Sequence, residues 1–227
     1  LAGLLLAGFL AGRWSTNAPG QPVHHKRWSI KTSIPDNTDL QHPKPLAFAD
    51  LIALPNAPGV SNSDSRYDSA RIPAFPNSLN VKEGDLVSVK AWLQILASED
   101  DKDYHIQLSA RRDDGNQCLI VEVPKPELAQ ASPPEVRAGY EKIRHWARAR
   151  LLHDENKEPS GGGNCMKHPP FVEVTGQLFF DDLHVGANPH GKRKQLAATL
   201  WELHPVVEMR FTKQPPGEHP LPPPCKN

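Results

Sequence analysis

Residues 171–211, FVEVTGQLFFDDLHVGANPHGKRKQLAATLWELHPVVEMRF, hold two apolar runs joined by a basic, glycine-containing segment. In the first run Val172, Val174, Gly176, Leu178 and Phe180 take alternate positions, and in the second Trp201, Leu203, Val207, Met209 and Phe211 share one parity. A two-residue period predicts strands with one buried face. Gly176, without a side chain to pack, marks a bend or bulge. The intervening loop carries His190, Lys192, Arg193 and Lys194.

Upstream, the same period recurs three times. Val87, Val89, Ala91, Leu93 and Ile95 alternate with Ser88, Lys90, Trp92 and Gln94, predicting a first strand. An acidic turn over residues 98–103 leads to a second, in which Tyr104, Ile106, Leu108 and Ala110 alternate with His105, Gln107, Ser109 and Arg111. Asp113, Asp114, Gly115 and Asn116 supply turn chemistry, since Gly and Asn tolerate positive φ, and CLIVEV follows as a third strand before Pro124. Between Pro133 and Leu152 the period lengthens. Val136, Tyr140, Ile143, Ala147 and Leu151 form an apolar helical stripe, with Ser132 expected as N-cap, Pro133 in the first turn and Glu135 near the positive end of the dipole. The basic residues on its other faces are those of a solvated surface. Gly161, Gly162 and Gly163 lack the lysine and hydroxyl of a phosphate-binding loop and predict a flexible connection.

Strand, strand, strand, helix, strand, strand is the element order of the OB-fold, and residues 81–211 resemble that family in order and in the Gly-Asp turn of GDLVSVKAW that opens the first strand. The expected fold is therefore mainly β with one helix, a five-stranded barrel flanked by proline-rich arms. WELHPV is similar to an ending found in exported bacterial proteins of undefined function. The expected divisions are an apolar N-terminal segment (1–14), a proline-rich arm (15–80), the barrel (81–212) and a proline-rich tail (213–227).

Lys+Arg and Asp+Glu are equal at 26 each, so the chain lacks the net positive field of a non-specific nucleic-acid binder. Proline, at 24 residues, crowds both ends, where missing N–H groups favour extended chain. LAGLLLAGFLAG is too short to span a bilayer alone, which takes roughly 20 residues, and it predicts the remainder of a signal peptide or an N-terminal membrane anchor. Export, to the periplasm or the medium, would place Cys118, Cys165 and Cys225 in an oxidising compartment, with one disulfide and one leftover thiol and no pairing assignable. His24 and His25 beside Lys26 and Arg27 are expected to form a solvated basic patch.

Resemblance to the OB-fold implies a ligand on the outer face of strands two and three, flanked by the loops joining strands one to two and four to five. Here that face would show Lys90, Trp92, Gln94, His105, Gln107, Ser109, Arg111 and Glu122, with Lys192, Arg193 and Lys194 at one border and Glu99, Asp100, Asp101 and Asp103 at the other. One aromatic and one acidic border make a poor groove for single-stranded nucleic acid, which needs several stacking surfaces and continuous positive potential. A protein or oligosaccharide partner is favoured, for a non-catalytic binding module. The alternative is a metal-dependent phosphodiester hydrolase using Asp182, His184, Glu202 and His204, whose donor types suit a divalent ion. Strand parity sets Asp182 and His184 on one side and Glu202 and His204 on the other, so convergence requires a bulge. Further readings are a structural component of an extracellular assembly, joined through the terminal arms, and a single-stranded nucleic-acid binder, which the face does not favour.

Overall fold

The computed structural model describes residues 27–36, 38–187 and 189–215. The apolar segment 1–14, His24, His25, Lys26, Cys225 and most of the tail lie outside them. From the proline-rich region come a short helix α1 (Trp28–Thr32), a strand β1 (Lys44–Leu46) and a helix α2 (Phe48–Ile52). The barrel follows as β2 (Leu86–Ser98), β3 (Tyr104–Ser109), β4 (Leu119–Val123), helix α3 (Pro134–Ala147) continued by one π-turn, β5 (Asn164–Cys165), β6 (Phe171–Phe180) and β7 (Trp201–Phe211).

Strands run β2-β3-β4-β7-β6, and β6 pairs back onto β2 along Leu86↔Gln177 to Trp92↔Phe171, which closes the ring. The β4–β7 pairing is parallel at Val121↔Leu203 and the other ring pairings are antiparallel. This is the expected OB-fold-like, five-stranded barrel with its helix between the third and fourth barrel strands; β1 and β5 are additions, both paired to β2. Among the described residues no helix is long and apolar enough to cross a membrane.

The interior is filled from every barrel strand, by Val87, Val89, Ala91 and Leu93 of β2, Ile106 and Leu108 of β3, Leu119 and Val121 of β4, Val174 and Phe180 of β6, and Trp201 and Leu203 of β7. Tyr140, Ile143 and Ala147 of α3 join this core, as the helical stripe predicts. Two strands break the simple alternation. In β2 the register shifts between Leu93 and Ile95, so that Leu96 enters the core in place of Ile95. In β7 the register against β6 shifts on both sides of the β6 residue Gly176, and Val206 enters in place of Val207. Gly176 permits the close approach there, because a Cβ would lie 2.9 Å from that of Leu203. At the start of α3 the N-cap is Pro133 rather than Ser132; the Ser132 hydroxyl instead meets Tyr140 and the Thr32 carbonyl, tying the helix to α1.

The outer face of β2 and β3 keeps the predicted parity but is not open. Trp92 is fully buried, with the Phe171 ring 5.0 Å away and the Arg112 guanidinium 5.5 Å from its centroid. Gln107 donates to the carbonyl of Gln195 at 2.9 Å and accepts from the backbone of Lys192, so the β6–β7 loop lies across the face. Gln94, His105 and Ser109 are buried as well. Only Lys90 and Arg111 of that face remain exposed, with Arg193 and Lys194 at the loop. A sheet face that looks solvated by parity is thus covered by a connection whose path alternation does not reveal.

Candidate functional site

Covering the face leaves a cleft of about 320 Å³ between the loop and the barrel wall, lined by Lys31, Glu99, Asp100, Asp101, His105, Glu122, Phe179, Asp181, Asp182, Leu183, His184, His190, Gly191, Lys192 and Glu202. Seven of these are carboxylates and two are lysines, so the cleft suits a cationic occupant better than an anionic one.

Glu202 reaches it from β7, where it pairs with Phe179 and points away from the core partner Leu203. Asp181 continues the outer parity of Phe179, immediately after β6 ends at Phe180. The chain then turns into a single 3-10 turn, Asp182–His184, whose N-cap is Asp181 accepting from the Leu183 backbone. This turn ends the strand alternation and swings His184 back over Asp181, to which its Nδ1 is hydrogen-bonded. His190 arrives from the loop and stacks on His184 with centroids 3.8 Å apart and rings 9° from parallel.

His190 Nε2 stands 3.6 Å from Asp181 Oδ2 and 3.6 Å from Glu202 Oε1, too far for hydrogen bonds. Among the described residues neither ring nitrogen of His190 has a hydrogen-bond partner, although both are buried. The Glu202 side chain is 5% exposed, and His190 is its ion-pair partner at that same long distance. Two donors on one tetrahedral ion at 2.0–2.1 Å are roughly 3.3–3.4 Å apart. The two His190 distances are therefore close to the spacing of ligands around an ion, whereas Asp181 and His184 are bonded to each other. Donor atoms of Asp181, His184 and His190 all lie within 4.8 Å of one another.

The protonation pattern has the same cause. Burial, then the neighbouring carboxylates Asp181 and Glu122, hold Glu202 well above the usual carboxylate range. Burial and the adjacent His184 cation push His190 down to about 4, which leaves a neutral imidazole with a free lone pair. His184 is raised by its hydrogen bond to Asp181, against the effect of burial. A divalent ion would offset the carboxylate repulsion that, after burial, raises Glu202.

The four residues expected as a metal set separate. His184, Glu202 and Asp182 line the cleft, but the Asp182 carboxylate is already engaged elsewhere. Asp182 accepts from the Asp64 backbone at 2.9 Å and pairs with Arg27 at 3.4 Å. His204 is fully buried, donating from Nδ1 to the Lys31 carbonyl at 2.7 Å and from Nε2 to Asp103 at 3.0 Å. The parity expected for Asp182 and His184 fails because the strand has ended before them. Of the expected ligand-binding residues, His105 and Lys192 line the cleft, Trp92 and Gln107 are covered, and Lys90, Arg111, Arg193 and Lys194 lie outside it. Asp181 and His190 were not in the expected metal set. The shared parity of Asp181 with Phe179 was the available signal for the first; His190 carries none.

No protein-family model matches the chain, and no curated protein does. Among solved structures, the chain is similar to Entamoeba histolytica asparaginyl-tRNA synthetase, with 16% identity and a TM-score of 0.29 over 64% of this chain and 24% of that one. The chain spans about a quarter of that enzyme's length. Likeness at this level carries no argument about activity.

Proposed function

We propose that this OB-fold-like domain is a metal-dependent hydrolase, holding one divalent ion of the zinc class with Asp181, His184, His190 and Glu202. The observation that carries this reading is the pair of His190 ring nitrogens, buried and without hydrogen bonds, with Nε2 set 3.6 Å from each of two carboxylates. Imidazole nitrogen with carboxylate oxygen is a donor set for zinc and its neighbours in the transition series. When bound, such an ion supplies Lewis acidity that lowers the pKa of a coordinated water to about 7. The protein's share is to fix His184 through Asp181, to surround the site with walls such as Phe179 and Leu183, and to present Lys31 and Lys192 near an incoming anion. Phosphodiesters are the substrate class we propose: the carboxylates first draw in the ion, and the bound ion then supplies the positive charge that an anionic substrate needs in a cleft whose lysines are already paired with Glu122 and Glu99.

Turnover of bis(p-nitrophenyl) phosphate with added Zn²⁺ or Mn²⁺ should be abolished by chelator and fall at least about 100-fold in His190→Ala. Metal-independent turnover, or equal rates in the variant, would remove the proposal. Metal binding without turnover would reduce it to a cation-binding module.

A further inference from the structure

The same cleft holds a second cluster in which a cation is already present. Glu99, His105 and Glu122 bring donor atoms within 4.8 Å of one another. Lys31 Nζ enters from α1, 2.8 Å from Glu122 Oε2 and 3.6 Å from Asp101 Oδ2, with its side chain 15% exposed. Lys192 Nζ meets Glu99 Oε2 at 2.9 Å, and His105 Nδ1 meets Glu122 Oε1 at 2.9 Å. The Lys31 ammonium is held from both chain directions. Four residues earlier Arg27 is locked to Glu83 at 2.6 Å, and the Lys31 carbonyl is clamped by His204.

We propose that Lys31 occupies the position of a second metal ion, making the cleft a two-cation centre in which one cation is exchangeable and the other is covalently attached. This rests on the metal reading of the Asp181, His184, His190 and Glu202 cluster. In two-metal centres a pair of cations clamps the oxygens of a phosphoryl group. An ammonium, a compact charge with three donors, can serve the second position without demanding fixed coordination geometry. Lys31 has two carboxylate partners and a cleft-facing position, which leaves donor capacity for a substrate oxygen.

Equilibrium dialysis of the full chain against Zn²⁺ tests this. Wild type should bind one ion, Lys31→Met two and Lys31→Arg one; in a His190→Ala background the Lys31→Met change should raise binding from none to one. With one equivalent of Zn²⁺, Lys31→Met should lose at least about 100-fold in turnover of bis(p-nitrophenyl) phosphate and recover with the second equivalent. A folded Lys31→Met that gains no ion overturns the inference, as does a Lys31→Arg that gains one. Zero ions on wild type with a gain of one in Lys31→Met removes the metal reading of the first cluster but leaves Lys31 as a cation surrogate. Should Lys31→Met not fold, Glu122→Gln substitutes. Leaving the Lys31 charge uncompensated, it should weaken Zn²⁺ binding at least tenfold, and unchanged affinity contradicts the inference.

Discussion

Asp181 and Asp182 are neighbours in sequence and both are buried, yet they belong to opposite kinds of site. Asp182 joins a knot around Arg27 in which every group is answered. Arg27 reaches Glu83 at 2.6 Å, the Phe180 carbonyl at 2.9 Å and the Tyr67 carbonyl at 3.1 Å, while Glu83 accepts from the backbones of Ile72 and Phe180. Asp181 joins His184, His190 and Glu202, where both ring nitrogens of His190 lack hydrogen bonds and the Glu202 carboxyl is raised by burial and by its carboxylate neighbours. Buried charge that is satisfied fixes the N-terminal segment to the barrel; buried polar atoms left unsatisfied, as at His190, have a cost that an occupant would offset.

The knot should dominate stability. Arg27→Ala strips the partner from buried Glu83 and should cost about 3–5 kcal/mol in urea unfolding, the usual penalty for one stranded member of a buried pair. A loss under about 1 kcal/mol would mean the knot is not the clasp described, by the ordinary scale of surface changes.

The two histidines separate the regions by pH. His204 is raised to about 9, because hydrogen bonds to Asp103 and Glu122 outweigh both burial and the repulsion of Lys31. Its stabilisation is fully present below about 6.5 and is lost as pH rises through about 9, amounting to roughly 3 kcal/mol at most. His190 is depressed to about 4, so the unfolded chain binds the proton more readily and stability falls as pH drops from about 6.5 to about 4. His204→Ala should flatten the alkaline limb of the stability profile and His190→Ala the acid limb; unchanged limbs would show the histidines misassigned.

A closer comparison sets Asp182→Asn against Asp181→Asn. The first removes charge from an answered pair and should cost about 1–3 kcal/mol, whereas the second relieves repulsion on Glu202 and should cost under about 1 kcal/mol. Equal costs would erase the distinction between the two aspartates. The smallest stability effect belongs to Glu202→Gln, within about 0.5 kcal/mol, because burial and the carboxylates beside it already disfavour a charge at that position. Its Zn²⁺ affinity should nevertheless fall by at least about 10-fold, since a ligand is lost.

How much of this was legible follows from the same residues. Five strands and the helix announce themselves by period, because each has one face in a continuous core, and their order is enough to specify the barrel. The irregularities at Gln94 and at Pro205 and Val207 were not legible, since a register shift depends on the partner strand. Coverage of Trp92 and Gln107 was hidden for a related reason: alternation tells which side of a sheet a residue occupies, not what crosses that side. Half of the cleft was visible as His184 and Glu202. Strand parity carried four residues past the true end at Phe180, to His184, points to Asp182 and away from Asp181. Lys31 sits in a five-residue helix with no pattern to mark it, and only tertiary packing brings it to Glu122.

The most direct test is anomalous scattering at the zinc edge from a crystal of the full chain grown with Zn²⁺. The structure predicts one strong peak about 2.0–2.1 Å from His190 Nε2, with Asp181, His184 and Glu202 as the surrounding donors. No peak in the cleft, or a peak only at surface histidines such as His42 or His145, would contradict it.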